Sequence, residues 1–147
     1  MDRVKTHIVS WLRAYSEKSN TEGFVIGVSG GIDSAVTSIL CAETNKKVIL
    51  LNMPIRQSAN EFALAEAHID NLKNRYSNVS SHELNLSSVF ESFENVMPFD
   101  IESNGLSMAN SRARLRMMTL YAVGQANGLL VAGTGNKVED FGIGFYT

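Results

Sequence analysis

A single cysteine, Cys41, leaves no disulfide framework within the chain and fits a reducing cytosol. No apolar run approaches the about 18 residues that a membrane-spanning helix needs. No charge sign dominates: 13 Lys and Arg face 15 Asp and Glu, for a net charge of −2. A strong basic field for nucleic acid or an anionic membrane is therefore absent, and neither partner is expected. Met1-Asp2-Arg3-Val4-Lys5-Thr6-His7 lacks the apolar core of a signal peptide, so a cytoplasmic location is expected. Repeats and low-complexity segments are missing. No His or Cys stands at metal-ligand spacing to His82, which argues against zinc. Neither a Ser/His/Asp nor a Cys/His arrangement is visible, and Cys41 reads as a small buried apolar residue. What remains is 147 residues, 44% of them apolar, expected to form one domain over 1–147 with enough material for a core.

The chain is organised around Gly27-Val28-Ser29-Gly30-Gly31-Ile32-Asp33-Ser34. Phe24-Val25-Ile26 before it reads as a buried strand, and Ala35 to Glu43 after it as a helix. Glycine admits positive φ and close approach of a ligand to the backbone. The helix N-terminus adds free N–H groups and partial positive charge, so the turn suits an anion such as phosphate. Asp33 beside such a cradle is repulsive unless a cation intervenes, which suggests Mg²⁺. The bland alternative is a strand-to-helix turn with a Ser or Asp N-cap. The common phosphate loop requires a Lys that is missing here, and the glycine spacing does not fit the dinucleotide fingerprint. S-G-G-x-D-S instead resembles the loop of the ATP-pyrophosphatase superfamily, whose members cleave ATP between the α- and β-phosphates.

In chain order, residues 2–19 read as an amphipathic helix, with Val4, Ile8, Trp11, Leu12 and Tyr15 at helical spacing. Lys47 to Asn52 is a continuous apolar run, as in a parallel strand covered on both faces. Met53 to Ser58 leaves its carboxyl end, the edge where open α/β sheets bind ligands. Arg56 there reads either as a nucleotide contact or as a plain surface residue. Ser58 and Glu61 form a capping box for a helix to about Arg75, with Phe62, Ala65, Ile69 and Leu72 on one face and His68 and Asp70 solvated. Ser80 to Leu84 reads as a third strand, and Asn85 to Phe93 starts a weaker helix. From Ser107 to about Asn127 a longer helix carries Arg112, Arg114 and Arg116. Like charges at i, i+4 repel, so this cluster reads either as a solvated basic face or as a set from which at least one arginine reaches phosphate or carboxylate. Met117, Met118, Leu120, Tyr121 and Val123 read as core or subunit contact. Leu129 to Ala132 is a fourth strand, running into Gly133-Thr134-Gly135-Asn136-Lys137-Val138-Glu139-Asp140. On a parallel sheet that turn can lie beside the first loop, where Glu139 could share a cation with Asp33; the bland alternative is a polar loop with a Glu at a helix start. The expected fold is α/β, an open parallel sheet with helices on both faces in a Rossmann-like three-layer arrangement.

Three blocks carry a closer resemblance: G-V-S-G-G-I-D-S, N-S-R-A-R-L-R-M-M, and G-L-L-V-A-G-T-G-N-K-V-E-D-F-G-I-G-F-Y-T. Their order and spacing resemble the synthetase domain of the NAD synthetase family, of adenine nucleotide α-hydrolase-like fold. The resemblance covers essentially the whole chain but only about the first half of that domain, as if its C-terminal part were missing. It implies a ligase that adenylates the nicotinate carboxylate of deamido-NAD with ATP and amidates it with ammonia, in a homodimer with substrate near the subunit interface. It also implies that Gly27, Val28, Ser29, Gly30, Gly31, Ile32, Asp33 and Ser34 hold the ATP phosphates and that Thr134 contacts ATP. By the same resemblance Asp33 and Glu139 ligate Mg²⁺, Arg114 contacts deamido-NAD, and no protein nucleophile takes part. After strand two the family's Arg and Tyr-Gly give way here to Asn52-Met53-Pro54-Ile55-Arg56, which leaves the adenine contacts open.

Two other readings compete. One is a different ATP-pyrophosphatase enzyme, an amidating synthetase domain or a tRNA-modifying adenylase. Against the latter stand the position of Cys41 and the net charge of −2. The other is a non-catalytic nucleotide-binding module, which would need neither Asp33 with Glu139 nor the arginine cluster.

Overall fold

The computed structural model describes residues 2–143. Met1 and 144–147, the end of the third matching block, lie outside the described residues. The elements are α1 (Asp2–Lys18), β1 (Gly23–Gly27), α2 (Ile32–Ala42), β2 (Lys47–Asn52), α3 (Ala59–Arg75), β3 (Val79–Glu83), α4 (Ser87–Glu94), α5 (Gly105–Ala126) and β4 (Leu129–Val131). A short 3₁₀ turn, Glu102–Asn104, leads into α5, and a π-helical turn covers Val138–Ile143. β3 begins one residue earlier than its sequence pattern suggested, and Leu84 leaves the strand to pack under the opposite face.

All strand pairs are parallel, in the order β3-β2-β1-β4. Alternation along each strand sends Phe24, Ile26, Val48 and Leu50 to one face, where Cys41 and Ala42 of α2 and Ala65, Ile69 and Leu72 of α3 cover them. Val25, Ile49 and Leu51 point to the other face, against Leu120 and Val123 of α5. The continuous apolar strands thus follow from burial on both sides. A smaller cluster of Ile55, Phe90 and Met108 joins α4 to α5.

α1 departs from its sequence pattern. Val4, Trp11 and Tyr15 are exposed, and the face that meets the sheet carries Leu12 and the fully buried Ser16. Ser16 is satisfied by its hydroxyl bond to the Thr21 carbonyl at 3.0 Å. Trp11 and Tyr15 pack on each other outside, with ring centroids 5.3 Å apart. Among the described residues no helix is long and apolar enough to cross a membrane.

The topology sets the position of the site. After β1 the chain adds β2 and β3 on one side, then returns to add β4 on the other. The loops after β1 and β4 therefore leave the same sheet edge at the point where strand order reverses, the ligand crevice of open α/β sheets.

Candidate functional site

The loop after β1 is held in shape by its own side chains. Buried Ser34 donates from Oγ to the Gly31 carbonyl at 2.9 Å and accepts from the Ser29 N–H at 3.2 Å. Ser29 Oγ accepts from the Gly31 N–H at 3.3 Å. α2 starts after Gly31 with no side-chain cap, so its first-turn N–H groups are left for a ligand rather than for a Ser or Asp cap. Gly30 takes φ +83°, a left-handed conformation, and lies flat against the start of α3. The α3 capping box is present: Ser58 Oγ accepts from the Glu61 N–H and the Glu61 carboxylate accepts from the Ser58 N–H. Beside it, Gln57 Nε2 donates to the Ser29 carbonyl at 3.2 Å, tying the loop after β2 to the loop after β1.

These loops and α5 enclose a cleft of about 1100 Å³. Gly27, Val28, Ser29, Gly30, Gly31 and Thr134 line it, together with Met53, Arg56, Gln57, Arg112 and Arg116. Ile32, Asp33 and Ser34 follow on the first turn of α2, outside that lining; Ile32 is 74% exposed. Asp33 is half-buried, and Asn136 Nδ2 donates to its Oδ2 at 3.3 Å. Asn136 Oδ1 in turn accepts from the N–H groups of Val138 and Glu139, at 3.0 and 3.1 Å. Asp33 and the turn that carries Glu139 are thereby brought to one place.

Of the three arginines on α5, Arg112 and Arg116 face the cleft, whereas Arg114 is exposed on another side of the helix. Arg116 Nε donates to the Met53 carbonyl at 3.0 Å. Burial, and then the neighbouring Arg112 charge, lower its pKa from the ordinary value, with Glu61 opposing. Two guanidinium groups held together in this way create a place for an anion. Arg112 also lies over the Phe90 ring, 5.7 Å from its centroid. Arg56, at φ +48°, pairs with Glu94 at 2.7 Å at the cleft mouth. The i, i+4 spacing was the available signal for Arg112 and Arg116; Asn136 stood only within the third matching block, and Gln57 had none.

Burial pushes the Cys41 thiol up to about 12, so it is no nucleophile. His68, expected in solvent, is instead partly buried, with Nε2 2.8 Å from Ser38 Oγ, because α2 and α3 pack side by side on one face. Among the described residues no group of three or more His, Cys, Asp or Glu could hold a metal. The candidate donor set is the carboxylate pair Asp33 and Glu139. Oxygen donors in that number, completed by phosphate, fit Mg²⁺ and not zinc.

Comparison with known proteins gives the family. The NAD synthase family matches residues 4–147. The chain is 35% identical to the NH₃-dependent NAD⁺ synthetase of Sulfurisphaera tokodaii over 99% of its own length and 50% of the relative's. It is 38% identical to that of Alkaliphilus metalliredigens, over 90% of its length and 55% of the relative's. Among solved structures, the NH₃-dependent NAD synthetase of Campylobacter jejuni superposes with a TM-score of 0.87 at 28% identity, over 99% of this chain and 61% of that one. The NMN synthetase of Francisella tularensis gives 0.83 at 30% identity, over 98% and 58%. The chain spans about half the length of the curated relatives it matches. The match over residues 4–147 shows the family: the chain belongs to the NAD synthase family.

Proposed function

We propose that the chain carries the ATP-binding part of an NAD⁺ synthase, a ligase that converts deamido-NAD to NAD⁺ with ATP and ammonia. The observation that supports this most is the pairing of an uncapped, glycine-rich helix start with an Asp33 carboxylate tied across the sheet edge to the turn bearing Glu139. A loop for phosphate alone would gain nothing from two carboxylates; a loop for a metal-bound triphosphate needs them.

In this reading Gly27 to Ser34 and Thr134 bind ATP, with the loop N–H groups on phosphate oxygens. Arg112 and Arg116 meet further negative charge in the cleft. Asp33 and Glu139 would hold Mg²⁺, which when bound neutralises charge on the departing pyrophosphate. A nicotinate oxygen of deamido-NAD attacks the α-phosphorus, and the bond to pyrophosphate breaks. Ammonia then attacks the activated carboxyl carbon, and AMP leaves with the carboxylate oxygen. The protein supplies position and charge, not a nucleophile.

Arg114, outside the cleft, would contact deamido-NAD on the outer side of α5. Met118 is exposed on the same helix, and Met117 and Tyr121 are exposed where α5 borders the cleft, which supports a homodimer with substrate near the interface. We place the enzyme in the cytoplasm, on its single buried cysteine.

The similarity to an NMN synthetase favours a second reading, amidation of a mononucleotide instead of the dinucleotide. Pyrophosphate release on addition of each acid, in the presence of ATP, Mg²⁺ and ammonia, separates the two. Release with deamido-NAD supports the first reading, release only with the mononucleotide supports the second, and failure of the chain to bind ATP with Mg²⁺ contradicts both.

A further inference from the structure

Asn136 has no part in the reaction as described, yet it touches both halves of the candidate metal site. Its Nδ2 donates to Asp33 Oδ2 at 3.3 Å, between residues 103 apart in sequence. Its Oδ1 accepts from the N–H groups of Val138 and Glu139, at 3.0 and 3.1 Å, and so starts the helical turn that carries Glu139. Its own carbonyl accepts from the Asp140 N–H at 2.9 Å. We propose that Asn136 is a positioning residue that holds the Asp33 carboxylate and the backbone of the turn bearing Glu139 before a divalent cation arrives. The inference rests on the reading of Asp33 and Glu139 as its ligands.

The chemistry suits a side-chain amide. It carries donor and acceptor on opposite ends of one rigid plane and has no charge. A carboxylate at this position would keep the acceptor but repel Asp33. An ammonium would pair with Asp33 and compete with the cation. The amide engages one carboxylate oxygen of Asp33, leaving the other, and the remaining lone pairs, for a metal. It does this from the same amide that caps the Glu139 turn, so one side chain links the two loops. Groups that orient metal ligands in this way typically contribute about 10–100-fold to metal affinity.

The test is isothermal titration of the chain with α,β-methylene-ATP, with Mg²⁺ varied and with chelator present. Asn136→Ala is expected to raise the Mg²⁺ concentration at half-saturation by about tenfold, leaving metal-free nucleotide affinity unchanged. Asn136→Ser keeps an oxygen able to cap the turn but is too short to reach Asp33. It should fold as wild type and still show the raised Mg²⁺ requirement, which decides the matter if the alanine variant does not fold. An unchanged Mg²⁺ requirement in Asn136→Ala, an equal loss with and without metal, or full restoration by serine would each overturn the inference. Wild-type binding that ignores Mg²⁺ would overturn the underlying reading as well. Mg²⁺-dependent wild type beside an unaltered alanine variant would overturn this inference alone.

Discussion

A Cβ on Gly30 would sit 2.7 Å from the carbonyl oxygen of Glu61. The loop after β1 is therefore seated on the backbone of α3, where neither side can yield by turning a rotamer. Gly30→Ala adds this clash to a φ of +83° that alanine disfavours. It should cost about 1–3 kcal/mol in chemical denaturation and weaken ATP binding together with stability. Unchanged stability would mean that the loop is not seated on α3.

The two faces of α5 make separable predictions. Arg112 and Arg116 line the cleft and Arg114 does not. Arg112→Met should weaken ATP binding about tenfold, in keeping with loss of a charged hydrogen bond of about 1.5 kcal/mol. Arg114→Met should leave ATP binding as in wild type and weaken only deamido-NAD. Both are read by titration with each ligand alone. Equal effects on ATP would contradict the assignment of faces.

His68 gives the fold a pH dependence. Burial lowers its pKa below the ordinary 6.5, so the folded chain favours the neutral ring. Below pH 6.5 the unfolded chain takes up the proton first. This contribution is fully present above that pH and is lost as pH falls toward the folded-state value. Denaturation midpoints of wild type should therefore drop from pH 7.5 to 5.5 more than those of His68→Gln. Parallel midpoints would contradict it.

Much of this was legible in the sequence. Gly27 to Ser34 stands out because strand, glycines and helix start follow one another within a few residues. Ser58 and Glu61 are three apart, so their capping box is local too. The β2 run reads as doubly buried because nothing polar interrupts Val48 to Leu51. What was not legible depends on partners far along the chain. His68 meets Ser38 only because α2 and α3 lie side by side. Trp11 and Tyr15 fit a helical stripe, yet the packing of α1 turns Leu12 and Ser16 inward instead. On α5, spacing put Arg112 and Arg116 on a common face, whereas the family resemblance directed attention to Arg114. Only the fold of Met53 under α5 showed which of them meets the cleft. Gln57 had no local signal, since it acts on another loop; Asn136 caps its own turn, but its bond to Asp33 joins residues 103 apart.

The central claim, that this chain holds metal-bound ATP on the loop after β1, is tested most directly by isothermal titration with ATP and Mg²⁺, wild type beside Asp33→Ala. The account predicts saturable binding by wild type and a loss of about tenfold or more in the variant. Equal affinity in both, or no saturable binding by wild type, would contradict it.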